Sequence, residues 1–223
     1  METTLLMKGC RLSRFKPLAA GAEKLVYPHP QSPDLLIKVQ NSAAPLPPRA
    51  LISRLQRLSR YRTFLHEITE HIAIREHGSG KQYHLQHIVG FIDTDMGLGM
   101  VVRAVRDRQG NLAPTLRQLC MTGRYTALHN NALVMLIDSV LNSNVIVRDF
   151  STSNLVWDER HDRFVIIDGV GAKSVFSLRN YSKRYNRHTN FRKAKKLRKR
   201  VSWLLREAGY KNINSHRGDT SES

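Results

Sequence analysis

Between Val147 and Gly169 the stretch VRDFSTSNLVWDERHDRFVIIDG sets two short apolar runs apart. Leu155-Val156-Trp157 and Phe164-Val165-Ile166-Ile167 flank the polar Asp158-Glu159-Arg160-His161-Asp162-Arg163. Runs this short, rich in β-branched and aromatic side chains and split by a polar cluster, specify two strands joined by a tight connection. Folded about a midpoint near His161, the ribbon sets Asn154 opposite Asp168, with Asp149 on the loop just before the first strand. An amide oxygen and two carboxylates gathered in this way suit a magnesium ion with a proton acceptor beside it.

The rest of the chain sorts into elements around that ribbon. FKPLAAGAEKLVYPHPQSPDLLIKVQ reads strand, turn, strand, turn, strand: Gly21 supplies the first turn, Pro28 to Asp34 the second, and Leu35-Leu36-Ile37-Lys38-Val39 the third strand. NSAAPLPPRA carries three prolines and is a loop. From Leu51 to His77 the period turns helical, with Phe64, Leu65, Ile68, Ile72 and Ile74 as its apolar stripe. HIVGFIDTDMGLGMVVRAV is a hairpin turning at Thr94-Asp95-Met96-Gly97. The polar Asp107 to Asn111 segment is a connector, which divides the chain into 1–106 and 107–223. In the second part NNALVMLIDSVLNSN, 130–144, opens on asparagine caps and is apolar almost all round, the mark of a buried helix. Beyond Gly171 the chain is basic and helical, and the closing NSHRGDTSES is polar enough to be disordered.

Composition matters here chiefly through charge. Hydrophobic content of 41% over 223 residues supports a real core and excludes wholesale disorder. Lys and Arg number 36 against 18 Asp and Glu, a net +18 that attracts polyanions without saying which. The two cysteines, Cys10 and Cys120, read as free thiols. METTLLMKGCRLSRF lacks a signal-peptide core, and no run approaches the ~20 apolar residues of a membrane span, so a cytoplasmic location is expected. The charge concentrates in FRKAKKLRKRVSWLLREAGY, 191–210, where Leu197, Val201, Leu204 and Leu205 recur at helical spacing. The basic face of that helix is either simply solvated or meets anionic lipid headgroups or a phosphorylated glycan at the inner face of a membrane. Nucleic acid is the less favoured polyanion, since only Phe191 and Trp203 interleave the cations.

Taken in order, these segments resemble the protein-kinase-like superfamily. Arg148-Asp149-Phe150-Ser151-Thr152-Ser153-Asn154 is similar to the catalytic loop R-D-x-x-x-x-N, with the same Asp-to-Asn spacing. Ile167-Asp168-Gly169 resembles the metal-binding aspartate at the following strand end, and Ile37-Lys38-Val39 the strand-three lysine segment. More narrowly, GAEKLVYPHPQSPDLLIKV and ITEHIAIREHG with IVGFIDTDMGLGMVV resemble the bacterial PhoP-regulatory-network proteins of the YrbL type. The resemblance implies an α+β, two-lobed kinase-like fold with a shortened C-terminal lobe, and a phosphotransferase using ATP and Mg²⁺. Under it Asp149 accepts the proton of a substrate hydroxyl, and Asn154 and Asp168 hold the metal. Lys38 contacts the α/β-phosphates, and the turn at Gly21 admits the nucleotide. Glu67 aims Lys38; Glu70, one turn on, is the alternative, and helical phase favours Glu67.

The sequence departs from that pattern in instructive places. One glycine stands where the phosphate loop of many kinases has three, Val147 replaces a histidine, no Phe follows Asp168, and no A-P-E segment follows Gly169. A peptide-docking platform is therefore missing, which points to a small-molecule, sugar or lipid-linked acceptor. Two other readings stay open: a non-catalytic regulator on the same fold, and a basic adaptor whose business is a polyanion. HGSGK, 77–81, is a flexible turn rather than a phosphate loop, and His84 and His87 lack companions for a zinc site.

Overall fold

The computed structural model describes residues 9–21, 23–41, 61–76, 84–172 and 178–218. The Pro/Ala segment after Asn41, the start of the helix read from Leu51, and the 77–81 turn lie outside the described residues. The protein is mixed α+β, and it divides into two compact units: Met1–Ile68 with Gln86–Ala104, and Thr69–Leu85 with Val105–Ser223. The division near residue 105 falls close to the polar connector, while Thr69–Leu85 groups with the second unit rather than with the rest of 1–106.

The first unit is an antiparallel sheet of β1 (Ala19–Ala20), β2 (Lys24–His29), β3 (Ser32–Gln40), β4 (Ile88–Thr94) and β5 (Gly97–Arg103), in the order β1-β2-β3-β5-β4. Strand β3 lies in the centre and is buried from Leu36 to Gln40, which explains its nearly unbroken apolar run. Tyr27, Ile37, Val39, Ile92 and Val101 pack with Leu12 on one face. Leu36, Met100 and Val102 pack on the other against Phe64, from helix α1 (Arg62–Glu76). The turn between β2 and β3 is tighter than Pro28 to Asp34: His29 pairs with Ser32, so Pro30 and Gln31 alone make it. Pro28 and Pro33 are tolerated in the strands because β1 and β5 stop short of them. The β4–β5 hairpin turns at Asp95-Met96, closing with Thr94 opposite Gly97, whose φ of 98° suits glycine.

The second unit is built on α2 (Leu116–Met121), α3 (Ala127–Asn142), the ribbon β6 (Leu155–Asp158) and β7 (Arg163–Ile166), and then α4 (Leu178–Tyr181) and α5 (Lys183–Gly218). Two features differ from the sequence reading of α3. Its N-cap is Thr126, bonded through its hydroxyl to His129 Nδ1 at 2.8 Å, so Asn130 and Asn131 lie inside the helix. It is buried on one face, through Leu133, Leu136, Ile137 and Val140, while Met135 is 68% exposed. Asn131, Asp138 and Asn142 share that exposed side with Met135 at helical spacing. Leu155, Trp157, Phe164 and Ile166 of the ribbon join that core, together with Ala194, Leu197, Val201 and Leu204 of α5. Helix α5 also runs on to Gly218, through Asn214 to Gly218 of the tail expected to be disordered.

Candidate functional site

Two groups of side chains carry the residues singled out by sequence, one in each unit. In the first unit Lys38 sits on β3 opposite Val26, and Lys24 lies two residues from Val26 on β2. Alternation puts both lysines on the sheet face that α1 covers. Glu67 of α1 meets both: its Oε1 is in contact with Lys24 Nζ, and its Oε2 lies 3.8 Å from Lys38 Nζ. All three residues are at least nine-tenths buried, and the Lys24 ammonium also lies 5.8 Å from the Phe64 ring centre. Glu67 therefore faces the strand lysine, and Glu70 does not. Lys24 was not foreseen: a single lysine in a short strand carries no mark of a buried carboxylate partner on a distant helix.

The Gly21 turn precedes Lys24 directly. Gly21 N–H donates to Lys24 O at 2.8 Å, and Asn41 Nδ2 donates to Gly21 O at 3.0 Å. A Cβ at Gly21 would meet only Lys24 O, at 3.5 Å, an ordinary contact. The fold itself therefore does not demand glycine there.

In the second unit the loop before β6 brings Asp149 and Asn154 together. Asn154 Nδ2 donates to Asp149 Oδ2 at 2.9 Å. The ribbon's register differs by one residue from the sequence reading: Leu155 pairs with Ile166 and Asp158 with Arg163, so Asn154 lies opposite Ile167, not Asp168. Ile167 N–H donates to Asn154 O at 2.9 Å, in keeping with this. The turn is centred between Arg160 and His161, close to the expected midpoint, with Asp162 at φ 47°.

Asp168 is tied to Asp149 by another route. Gly169 O accepts the N–H groups of Arg148 at 2.6 Å and Asp149 at 2.9 Å, and Val147 bridges Val170. Gly169 has φ +80°, and a Cβ on it would lie 2.6 Å from Asp149 O and 2.8 Å from Asp149 Cβ. Glycine is required here for both conformation and space. The Asp168 carboxylate accepts from Gly169 N–H at 2.6 Å, which fixes the side chain at the strand end.

The backbone leading into Asp149 is held from all sides by polar side chains. Buried Glu70 accepts Ile146 N–H at 2.7 Å. Asn190 Nδ2 donates to Val145 O at 2.8 Å, and Asn186 Nδ2 to Asn144 O at 3.0 Å. Arg179 donates to Val147 O at 3.1 Å, and Lys193 Nζ to Val147 O and Arg148 O, both at 2.6 Å. Burial pushes the Glu70 carboxyl up to about 7, against the opposing pull of the Ile146 N–H and Arg179. Burial likewise lowers the Arg179 guanidinium, with Glu70 resisting. None of these supporting residues carries a sequence signal of its own, because each acts on backbone atoms.

Other candidates lead elsewhere. Among the described residues no group of three or more His, Cys, Asp or Glu could hold a metal ion by itself. His84 Nδ1 bonds Phe164 O at 3.0 Å, a core role. Burial raises the Cys120 thiol to about 11, so it is inert. No helix of the described residues is long and apolar enough to cross a membrane. On α5 the apolar stripe is turned to the core, while Arg192, Lys195, Lys199 and Arg206 are exposed.

The family described as PhoP regulatory network protein YrbL matches this chain over residues 10–202. No curated protein matches it.

Proposed function

The chain belongs to the PhoP regulatory network protein YrbL family, and on that premise we propose that it is a two-lobed, protein-kinase-like phosphotransferase that uses ATP and Mg²⁺. The observation that carries the reading is the braced loop: Asp149 hydrogen-bonded to Asn154 and pressed against Gly169, next to Asp168. Phosphoryl transfer asks a protein for placement and charge neutralisation, and rigid carboxylate and amide groups at this spacing serve both.

Asp149 is exposed and oriented by the Asn154 amide, which leaves it able to accept the proton of an incoming hydroxyl. With its nitrogen committed to Asp149, Asn154 offers its oxygen to a cation, and Asp168 offers a carboxylate. One carboxylate and one amide are too few for an all-protein metal cage, but they fit Mg²⁺, which keeps waters and takes phosphate oxygens as further ligands. Bound there, the metal would offset charge on the transferring phosphoryl group. In the first unit Lys38, aimed by Glu67, is the contact for the α/β-phosphates. Gly21 fits a backbone that a nucleotide approaches closely, since the fold has no use of its own for the missing Cβ.

The acceptor is a hydroxyl on a non-peptide molecule, a reading supported by the sequence after Gly169, which carries no A-P-E motif. The outer face of α5 supports presentation at an anionic lipid surface, on the cytoplasmic side of the inner membrane. Arg192, Lys195, Lys199 and Arg206 form one cationic line, with Phe191 and Trp203 exposed beside it. A flat anionic surface meets the whole line at once, whereas only Phe191 and Trp203 interleave the cations where bases would stack. Near-surface cations contribute about 1 kcal/mol each. Replacing Lys195, Lys199 and Arg206 by Glu should therefore abolish binding to phosphatidylglycerol-containing vesicles. Equal binding of the wild type to purely zwitterionic vesicles, or capture by duplex DNA or a phosphorylated glycan alone, would remove this lipid assignment.

The decisive test of the enzyme is Asp149→Ala. It should keep the wild-type circular dichroism and Mg-ATP affinity while losing ATP turnover by roughly 10²–10⁴. Equal turnover in both proteins refutes the mechanism. Nucleotide binding without turnover in the wild type identifies a non-catalytic regulator instead.

A further inference from the structure

The reading of Lys38 and Glu67 uses one carboxylate and one ammonium, yet the cluster holds two ammoniums. We propose that Lys24 is a positioning residue of the nucleotide site: it anchors Glu67 Oε1 so that Oε2 is presented to Lys38. This rests on the phosphotransferase reading for its consequence, but not for its geometry.

Three observations carry it. Lys24 and Lys38 come from adjacent strands, diagonal to one another across β2 and β3, and the register fixes both on one face. Glu67 uses separate oxygens for the two, with the nearer contact to Lys24 and the looser one, 3.8 Å, to Lys38. Lys24 also accepts the Gly21 N–H through its own carbonyl, at 2.8 Å. One residue thus links the turn, the helix carboxylate and the strand lysine. Burial makes these contacts strong, because little water screens them.

A carboxylate fixed at one oxygen has lost the rotation about its Cγ–Cδ bond that would otherwise spread Oε2 over many positions. Lys38 then meets Oε2 in one place. Lys24 supplies the anchor on Oε1, and its removal loosens the aim of Oε2 at Lys38. The opposite behaviour is physically possible: if Lys24 competes for Glu67, its removal would draw Glu67 onto Lys38. Lys24→Met, which keeps the length of the chain and deletes the charge, tells the two apart.

The first measurement does not depend on nucleotide. Trace labelling with acetic anhydride, read by mass spectrometry, reports the accessibility of the Lys38 amine. Lys24→Met should raise Lys38 labelling severalfold and Lys24→Arg should not; unchanged or reduced labelling overturns the proposal. The second measurement is turnover. Lys24→Met should lower kcat/KM for ATP at least tenfold, with Lys24→Arg restoring it to within about threefold, the behaviour of a residue whose donor geometry is what counts. The double variant Lys24→Met, Glu67→Gln should be no worse than Glu67→Gln alone, since both act through one carboxylate. Effects that multiply would make Lys24 an independent structural lysine and overturn the proposal. A wild type that neither binds nor consumes ATP would sink the phosphotransferase reading, with the labelling result still deciding the role of Lys24.

Discussion

Helix α1 carries two buried glutamates, Glu67 and Glu70, three residues apart, and the chain treats them in opposite ways. Glu67 is met by cations, Lys24 and Lys38. Glu70 is met by a neutral backbone N–H, that of Ile146, and only more distantly by Arg179. A carboxylate flanked by ammoniums is a charge-aiming device, because its field and theirs are matched inside a poorly screened space. A carboxylate capping a backbone group is a clamp on chain geometry. Its charge is a liability that burial penalises, which is why the Glu70 carboxyl is pushed up to about 7. The same residue type, one turn apart, serves electrostatics in one place and backbone geometry in the other.

Breaking the first of these should produce the largest effect. Glu67→Ala takes away the carboxylate that two buried ammoniums share, and losing one partner from a buried ion pair costs about 3–5 kcal/mol. Urea denaturation of Glu67→Ala should show a loss of that size. Restoring hydrogen-bonding shape without charge, in Glu67→Gln, should recover only part of it. A Glu67→Ala protein as stable as the wild type would mean that the cluster is not a coupled unit, and the contrast with Glu70 would lose its basis.

How much of this was legible beforehand follows the same division. The pairings of Asp149 with Asn154 and of Lys38 with Glu67 were legible, the first because both residues stand in one short loop and the second because helical phase turns Glu67 toward β3. The strands were legible because β-branched runs alternate with turn residues. The single-residue register shift in the β6–β7 ribbon was not. The register is set by the turn geometry, with Asp162 at φ 47°, and by which side chains reach the core, and residue spacing alone specifies neither. Lys24 was hidden for a different reason, since its partner Glu67 lies 43 residues away and no local spacing links them. The supports of the Asp149 loop were invisible in principle. Asn186, Asn190, Lys193 and Arg179 bond to carbonyl oxygens, and a carbonyl is the same at every residue. Within a run as basic as 183–200, Lys193 looks like any other surface cation until the chain folds. The exposed side of α3 is marked by Asn131, Asp138 and Asn142 at helical spacing, and Met135 in the middle of that line disguises it.

The smaller effect, and the one that sharpens the contrast, belongs to Glu70 and pH. Its carboxyl titrates near 4.5 when the chain is unfolded and at about 7 when folded, so between these values the folded protein binds the extra proton. Stability from this group is therefore fully present below about pH 4.5 and is lost as pH rises toward 7. The shift corresponds to roughly 3 kcal/mol at 1.36 kcal/mol for each pH unit. Glutamine at position 70 keeps an oxygen for the Ile146 N–H and has no proton to lose. In urea melts from pH 5 to pH 8, Glu70→Gln should lack this downward slope and should equal or exceed the wild type at pH 8. Near pH 5, where Glu70 is already protonated in the fold, the two proteins should converge. Parallel curves across the range would show that Glu70 carries its charge at no cost, as a partner of Arg179 rather than as a clamp on Ile146.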